Sequence, residues 1–145
     1  MGDRRRTFRM KLSVSGLLLI VLGVVIVLTP WYIFPVCEVY GLYAKSASGA
    51  NMIMPCGYTA RAELGLGTVV ALAGTVLLVA KSPETKRALG LLSAALGAFV
   101  VLFPTVIIGM CANMTHPCEE GTKPALILLG AVTILVSLYI VWKKK

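Results

Sequence analysis

The sequence predicts an all-α fold: a bundle of four transmembrane helices, made of two tandem helical hairpins related by a pseudo-two-fold axis along the membrane normal. Three observations lead there. Of the 145 residues, 58% are hydrophobic and only 14% are charged, more apolar surface than one small water-soluble core can hide. The apolar residues gather in four runs, 12–29, 62–80, 88–109 and 124–142. Each is about 18 to 22 residues, enough at about 1.5 Å per residue to cross a hydrocarbon core of about 30 Å. Finally, the second half of the chain repeats the punctuation of the first.

The first run follows Arg4, Arg5, Arg6, Arg9 and Lys11. A basic stretch before an apolar run also opens secretory signals, but no small-residue cleavage site follows, and the run continues into Pro30-Trp31-Tyr32-Ile33-Phe34. An uncleaved first helix is therefore expected. Arg5-Arg6 reads as positive-inside anchoring rather than as a twin-arginine signal. Runs two and three are separated by Lys81, Lys86 and Arg87, and Lys143, Lys144 and Lys145 close the chain, which leaves Lys45, Arg61 and Lys123 for the other side. Basic residues so divided set a topology: a multi-pass protein of the cell (plasma) membrane, with cytoplasmic N- and C-termini and extracytoplasmic cysteine loops. The net charge of +8 is then an orientation signal toward the lipid bilayer, and no nucleic-acid partner is expected.

The repeat places the rest. Leu22-Gly23, Leu28, Pro30 and Cys37 recur as Leu96-Gly97, Leu102, Pro104 and Cys111, an offset of 74. Asn51-Met52-Ile53-Met54-Pro55-Cys56 recurs as Asn113-Met114-Thr115-His116-Pro117-Cys118, an offset of 62, and beyond it Arg61, Leu64 and Leu66 answer to Lys123, Leu126 and Leu128. The difference between offsets marks a 12-residue insertion between the cysteines of the first unit. Residues 1–86 and 87–145 are thus two parallel repeats of one integral membrane domain spanning 1–145. Small residues at Gly67, Ala71 and Gly74, and at Gly90, Ala94, Gly97 and Ala98, permit close helix approach where lipid gives no hydrophobic drive. No ionisable residue falls in the middle of any run, which argues against transport by this chain alone. Glu63, Glu119 and Glu120 are read as sitting beside helix N-termini, where carboxylates meet the helix dipole favourably.

Whatever chemistry the chain has must sit on the outer face. Cys37, Cys56, Cys111 and Cys118 all fall there, on the oxidising side where disulfides persist. The repeat ranks their pairings. Cys37 with Cys56 and Cys111 with Cys118, one staple per unit, comes first. Cys37 with Cys118 and Cys56 with Cys111 obeys the same symmetry and is the serious competitor. Cys37 with Cys111 and Cys56 with Cys118 would crowd both bonds onto the axis. A staple of this kind is worth about 2 to 4 kcal/mol and requires no activity. Met52, Met54, Met110, Met114 and His116 join the cysteines to make an alternative soft-ligand set suited to copper(I). Four helices with outer cysteine pairs also resemble disulfide-generating quinone oxidoreductases in outline, but the reactive C-x-x-C those use is missing. Trp31, Tyr40, Tyr43 and Tyr58 make a candidate interaction cap or interfacial belt, with Lys45 to Gly49 as its flexible tip. Asn113-Met114-Thr115 fits an N-glycosylation pattern but in a short loop beside the bilayer. There is no Ser, His and Asp set, phosphate-cradling glycine loop or paired-carboxylate spacing, so no catalytic residues and no cofactor are expected.

Met54-Pro55-Cys56-Gly57-Tyr58-Thr59-Ala60-Arg61-Ala62-Glu63-Leu64-Gly65-Leu66-Gly67 resembles the M-x-C-x-[WY]-T-x-x-A-E-x-G-x-G signature of a small prokaryotic membrane family, domain of unknown function 4418. Ile108-Gly109-Met110-Cys111 through Pro117-Cys118, with Gly121 to Leu126, resembles its second signature. Gly57 departs from the histidine the first signature implies, and His116 from a methionine in the second. The resemblance implies four helices, no assigned activity and an association with export-type ABC permeases. The expectation is a non-enzymatic accessory or structural membrane subunit whose outer cap docks a membrane protein partner or forms a homo-oligomer. The alternative is a thiol-redox or copper-handling protein.

Overall fold

A computed structural model describes residues 2–110 and 118–142, and side chains from residue 14 onward. It contains four long helices, α1 (Gly2–Leu28), α2 (Pro55–Val79), α3 (Pro83–Leu102) and α4 (Lys123–Trp142), and a two-stranded antiparallel ribbon, β1 (Ala44–Lys45) with β2 (Asn51–Met52). All four helices, with the turns that extend them, are long and apolar enough to cross a membrane, over Val14–Ile33, Pro55–Val79, Pro83–Ile107 and Cys118–Trp142. Only 22% to 39% of each span is buried inside the protein. The outward faces, with Leu17, Val21, Leu72, Val76, Leu128 and Leu135, therefore need an apolar environment. This is an integral membrane protein.

α1 begins at Gly2 rather than at 12, and two further helix starts also differ from those expected. α2 begins at Pro55 rather than at 62, and α3 at Pro83 rather than at 88. In both, a proline occupies the first helical position, where its fixed φ suits the helix and its missing N–H is not needed. The residues before them, Met54 (φ −71°, ψ 157°) and Ser82 (φ −74°, ψ 134°), are extended, as the residue before proline prefers. A hydropathy count sees only the lipid-crossing part of a helix and misses such polar first turns. As a result Cys56 and Tyr58 lie on a helix, and Glu63 is two turns inside one.

Pro30 and Pro104 occupy equivalent positions and have equivalent effects. α1 runs into a π-helical turn at Thr29–Ile33, and α3 into one at Phe103–Ile107, each with the proline near its start. A proline inside a helix removes one i→i−4 bond and crowds the preceding turn, and widening to i→i−5 bonding relieves both. The N–H of Phe34 donates to the Thr29 carbonyl at 2.8 Å and that of Ile108 to the Phe103 carbonyl at 3.1 Å. The two prolines, 74 residues apart, thus sit in turns of the same kind.

α1 packs chiefly on α2 and α3 on α4, by the same close approach in both hairpins. A Cβ placed on Gly23 would lie 2.5 Å from the Gly67 carbonyl oxygen and 2.5 Å from the Ala71 nitrogen. In the second hairpin, one on Gly97 would lie 3.1 Å from the Gly130 carbonyl oxygen and 3.2 Å from the Ile134 nitrogen. Seven residues further along each pair, Gly16 meets Gly74 and Gly90 meets Ser137. These contacts relate α1 to α3 by 74 residues but α2 to α4 by 63, not 62. The extra residue is absorbed between Cys118 and Thr122, where the chain forms a third π-helical turn, Cys118–Thr122, leading into α4. A π turn accommodates one inserted residue within a helix, so the motif N-M-x-x-P-C and the helix after it obey different offsets.

Between the halves, Leu19, Val70 and Leu77 form one buried layer with Leu89, Leu96, Val136 and Ile140 against it. Ile26, Val100 and Leu126 form a second, with Leu66, Leu129 and Met110. The insertion in the first unit, expected to be a flexible tip, forms the ribbon: Ala44 faces Met52, Lys45 faces Asn51, and Gly49 at φ +80° closes the turn.

Candidate functional site

Three of the four cysteines meet at the end of the bundle where α2 starts. Cys37 follows the Pro30 turn, Cys56 lies in the first turn of α2, and Cys118 opens the π turn before α4. All three are fully buried, and their Sγ atoms lie within 4.8 Å of one another. One contact joins the two halves of the chain: Cys37 Sγ and Cys118 Sγ are 2.6 Å apart. Val36 and Ala60 complete the buried cluster, and Trp31, Met54 and Met110 pack against it. Cys111 lies outside the described residues, as do Met114 and His116.

Two hydrogen bonds flank the sulfurs and have the same form. The Thr122 hydroxyl donates to the Phe34 carbonyl at 2.8 Å, and the Thr59 hydroxyl to the Gly109 carbonyl at 2.9 Å. Thr59 and Thr122 are 63 residues apart and their acceptors 75, one more than the proline offset, so the two bonds are alike in form, each running from the second helix of one hairpin to the end of the first helix of the other. Gly109 stands at φ +79°, a left-handed conformation that glycine adopts at no steric cost and that ends the helical path.

The soft donors expected from the sequence separate. Met54 and Met110 are half-buried on the sulfur cluster, whereas Met52 is 55% exposed on β2. The aromatic set separates too. Tyr40, Tyr43 and Tyr58 are exposed, but Trp31 turns inward, with its indole nitrogen buried and without a hydrogen-bond partner among the described residues. Its other side helps to line an apolar groove with Val27, Leu28, Tyr32, Val39 and Leu64. On the rim, Arg61 donates to Glu38 at 3.0 Å, Lys123 pairs with Glu119, and Glu38 packs where a side chain on Gly57 would reach.

The family profile described as Domain of unknown function (DUF4418) matches residues 19–143. The chain belongs to this family. No curated protein and no solved structure matches it. The matched span of the DUF4418 chain takes in both hairpins, the sulfur cluster and both threonine bridges.

One residue of the site escaped the sequence reading. Glu63, expected beside a helix N-terminus, is fully buried, and neither carboxylate oxygen has a hydrogen-bond partner among the described residues. Its dipole role is corrected by the earlier start of α2, which leaves it two turns inside the helix. The signal was present: Cys56, Thr59, Ala60, Glu63, Gly67 and Val70 follow helical spacing, and all are buried.

Proposed function

We propose that this protein is a non-enzymatic accessory or structural subunit of the cell membrane whose two hairpins are clasped together by cystine bonds on the extracytoplasmic side, presenting a rigid cap to a partner. The observation that carries the reading is the buried contact between Cys37 and Cys118, which favours the cross-hairpin pairing over one staple per repeat. By the repeat, the companion bond joins Cys56 to Cys111. Tying two hairpins to each other limits their separation, which a staple inside each loop does not. The basic residues at the termini and between α2 and α3 support a cytoplasmic position for that end.

The ribbon, with exposed Tyr40, Tyr43 and Met52, is the surface offered to a membrane protein partner or to a second copy, and export-type ABC permeases are the partner class the family suggests. Peptide mapping of the unreduced protein tests the clasp: fragments joining residue 37 to 118 and 56 to 111 are expected, and joins of 37 to 56 and 111 to 118 would refute it. Purification in mild detergent that returned only a monomer without a partner would count against docking.

A second reading is favoured by Met54 and Met110, which place two thioethers against three thiols, a donor set suited to copper(I). It requires the reduced protein to bind the metal stoichiometrically. Two inert cystine bonds would end it.

A further inference from the structure

The repeat exposes a position where the two halves differ in kind. One buried layer of the bundle is Ile26, Val100 and Leu126. Ile26 and Val100 are equivalent by the offset of 74, and the equivalent of Leu126 by the offset of 63 is Glu63. A carboxylate therefore occupies the place of a core leucine, fully buried and with both oxygens unpartnered among the described residues. Glu63 lies about two turns inside the Pro55–Val79 span, with about 24 Å of helix from it to Val79. Leaving a carboxyl unsatisfied there is costly, and an ionisable group at such depth marks a binding site more often than a packing choice.

The surroundings suggest what it binds. Gly67, one turn from Glu63, sits against Ile26 and Val27. Continuing that antiparallel register outward brings Glu63 to the level of Pro30. Pro30 has no N–H for the Ile26 carbonyl, and Pro104 has none for that of Val100. The π turns offer those carbonyls other donors, so the ligand group at this level is the Glu63 carboxylate, unpartnered among the described residues.

Among the described residues, fixed positive charge is absent from this level. α1 and its turn carry no charged side chain from residue 14 to 33, where the exposed Tyr32 is the one titratable group, and residues 88–110 carry none. The charges of α3, Glu84, Lys86 and Arg87, lie at the opposite end. On α4 and its turn Lys123 is engaged by Glu119, with Glu120 exposed beyond. On α2 Arg61 is held by Glu38, and Cys56 is two turns, about 10 Å, further out with the other thiols.

We propose that Glu63 binds a small monovalent cation, a proton or sodium, in the core of the bundle. The inference rests on the helix packing alone and is independent of the sulfur clasp.

The test uses the full chain in mild detergent, with thermal unfolding followed by circular dichroism. Sodium chloride is exchanged for choline chloride at constant ionic strength and pH in one series, and pH is varied in choline chloride in another. In the wild type, each tenfold rise in the bound cation above its dissociation constant should raise the midpoint by about 5 °C. Glu63→Gln and Glu63→Leu should lose that response. A response in the sodium series identifies sodium, and one confined to the acid series identifies the proton. A wild type flat in both series, or variants that respond as it does, overturns the proposal. Should the Gln variant fail to fold, the Leu variant, which copies Leu126, carries the comparison. Infrared spectra of the wild type add a readout needing no variant: neither a protonated-carboxyl band nor a sodium-sensitive carboxylate band would also overturn it.

Discussion

Replacing Gly23 by alanine tests whether the hairpins are held by direct backbone approach. The added methyl would sit 2.5 Å from both the Gly67 carbonyl oxygen and the Ala71 nitrogen, and 2.9 Å from the Ala71 Cα. All three atoms are backbone, so no side chain can rotate away and the helices must part. Overpacking of this kind costs about 1–3 kcal/mol, occasionally more. Alanine returns about 0.5–1 kcal/mol over glycine within a helix, and because all three clashes are with backbone the cost falls in the upper part of its range, leaving a net loss of up to about 2.5 kcal/mol. Gly97→Ala meets the Ile134 side chain at 3.0 Å and backbone atoms only at 3.1 and 3.2 Å, so its gain and loss should nearly cancel. Gly65 has nothing within 4 Å, and Gly65→Ala should be neutral or slightly stabilising. Thermal unfolding in one detergent should rank the proteins Gly65→Ala and wild type first, Gly97→Ala next and Gly23→Ala last. A Gly23→Ala protein as stable as the wild type would refute the packing argument.

Three further outcomes follow from the same geometry. Thr59→Val and Thr122→Val should each destabilise by about 0.5–1.5 kcal/mol and by similar amounts, because each removes one of two bridges alike in form; urea or thermal titration checks the match. Cys37→Ser and Cys118→Ser should each cost about 2–4 kcal/mol, and the double variant little more than either, since both remove one bond; additive losses would separate the two sulfurs. In sodium-free buffer at neutral pH, Glu63→Leu should stabilise the protein by about 1–3 kcal/mol by removing an unsatisfied group, and a loss of stability there would count against the core placement of Glu63.

Much of this was readable from residues. Long apolar runs have few solutions in lipid, so the four helices followed from composition, and the shared Leu-Gly and proline punctuation gave the first offset, which reappears in the paired π turns. What was not readable has physical causes. Polar first turns such as Pro55 to Arg61 do not register in hydropathy, so the start of α2 was placed too late and Glu63 too near the helix end. A single inserted residue at Cys118–Thr122 is invisible when motifs are aligned by cysteine and proline, because the π turn that absorbs it leaves the motif intact. The sulfur contact across the halves depends on where two loops fold back. Symmetry permitted it but could not rank it above a staple within each loop.

Where the two hairpins match, they account for the fold: glycine against backbone, proline turns, and threonine bridges reaching to the other half. Each is required twice by the same packing. Where they differ, that reasoning gives no support, and the differences are few. The first half carries the ribbon between its cysteines and Glu63 opposite Leu126. The second carries Ser93 where the first has Leu19, and Ser137 where it has Gly74, both buried and without a hydrogen-bond partner among the described residues. A duplicated bundle under selection for stability alone has no cause to exchange a core leucine for an acid, since an apolar group of similar size packs without desolvating a carboxyl. Stability surrendered at a core position is the pattern expected of a functional residue. Glu63 therefore belongs with the exposed ribbon among the parts the second copy of the repeat does not explain.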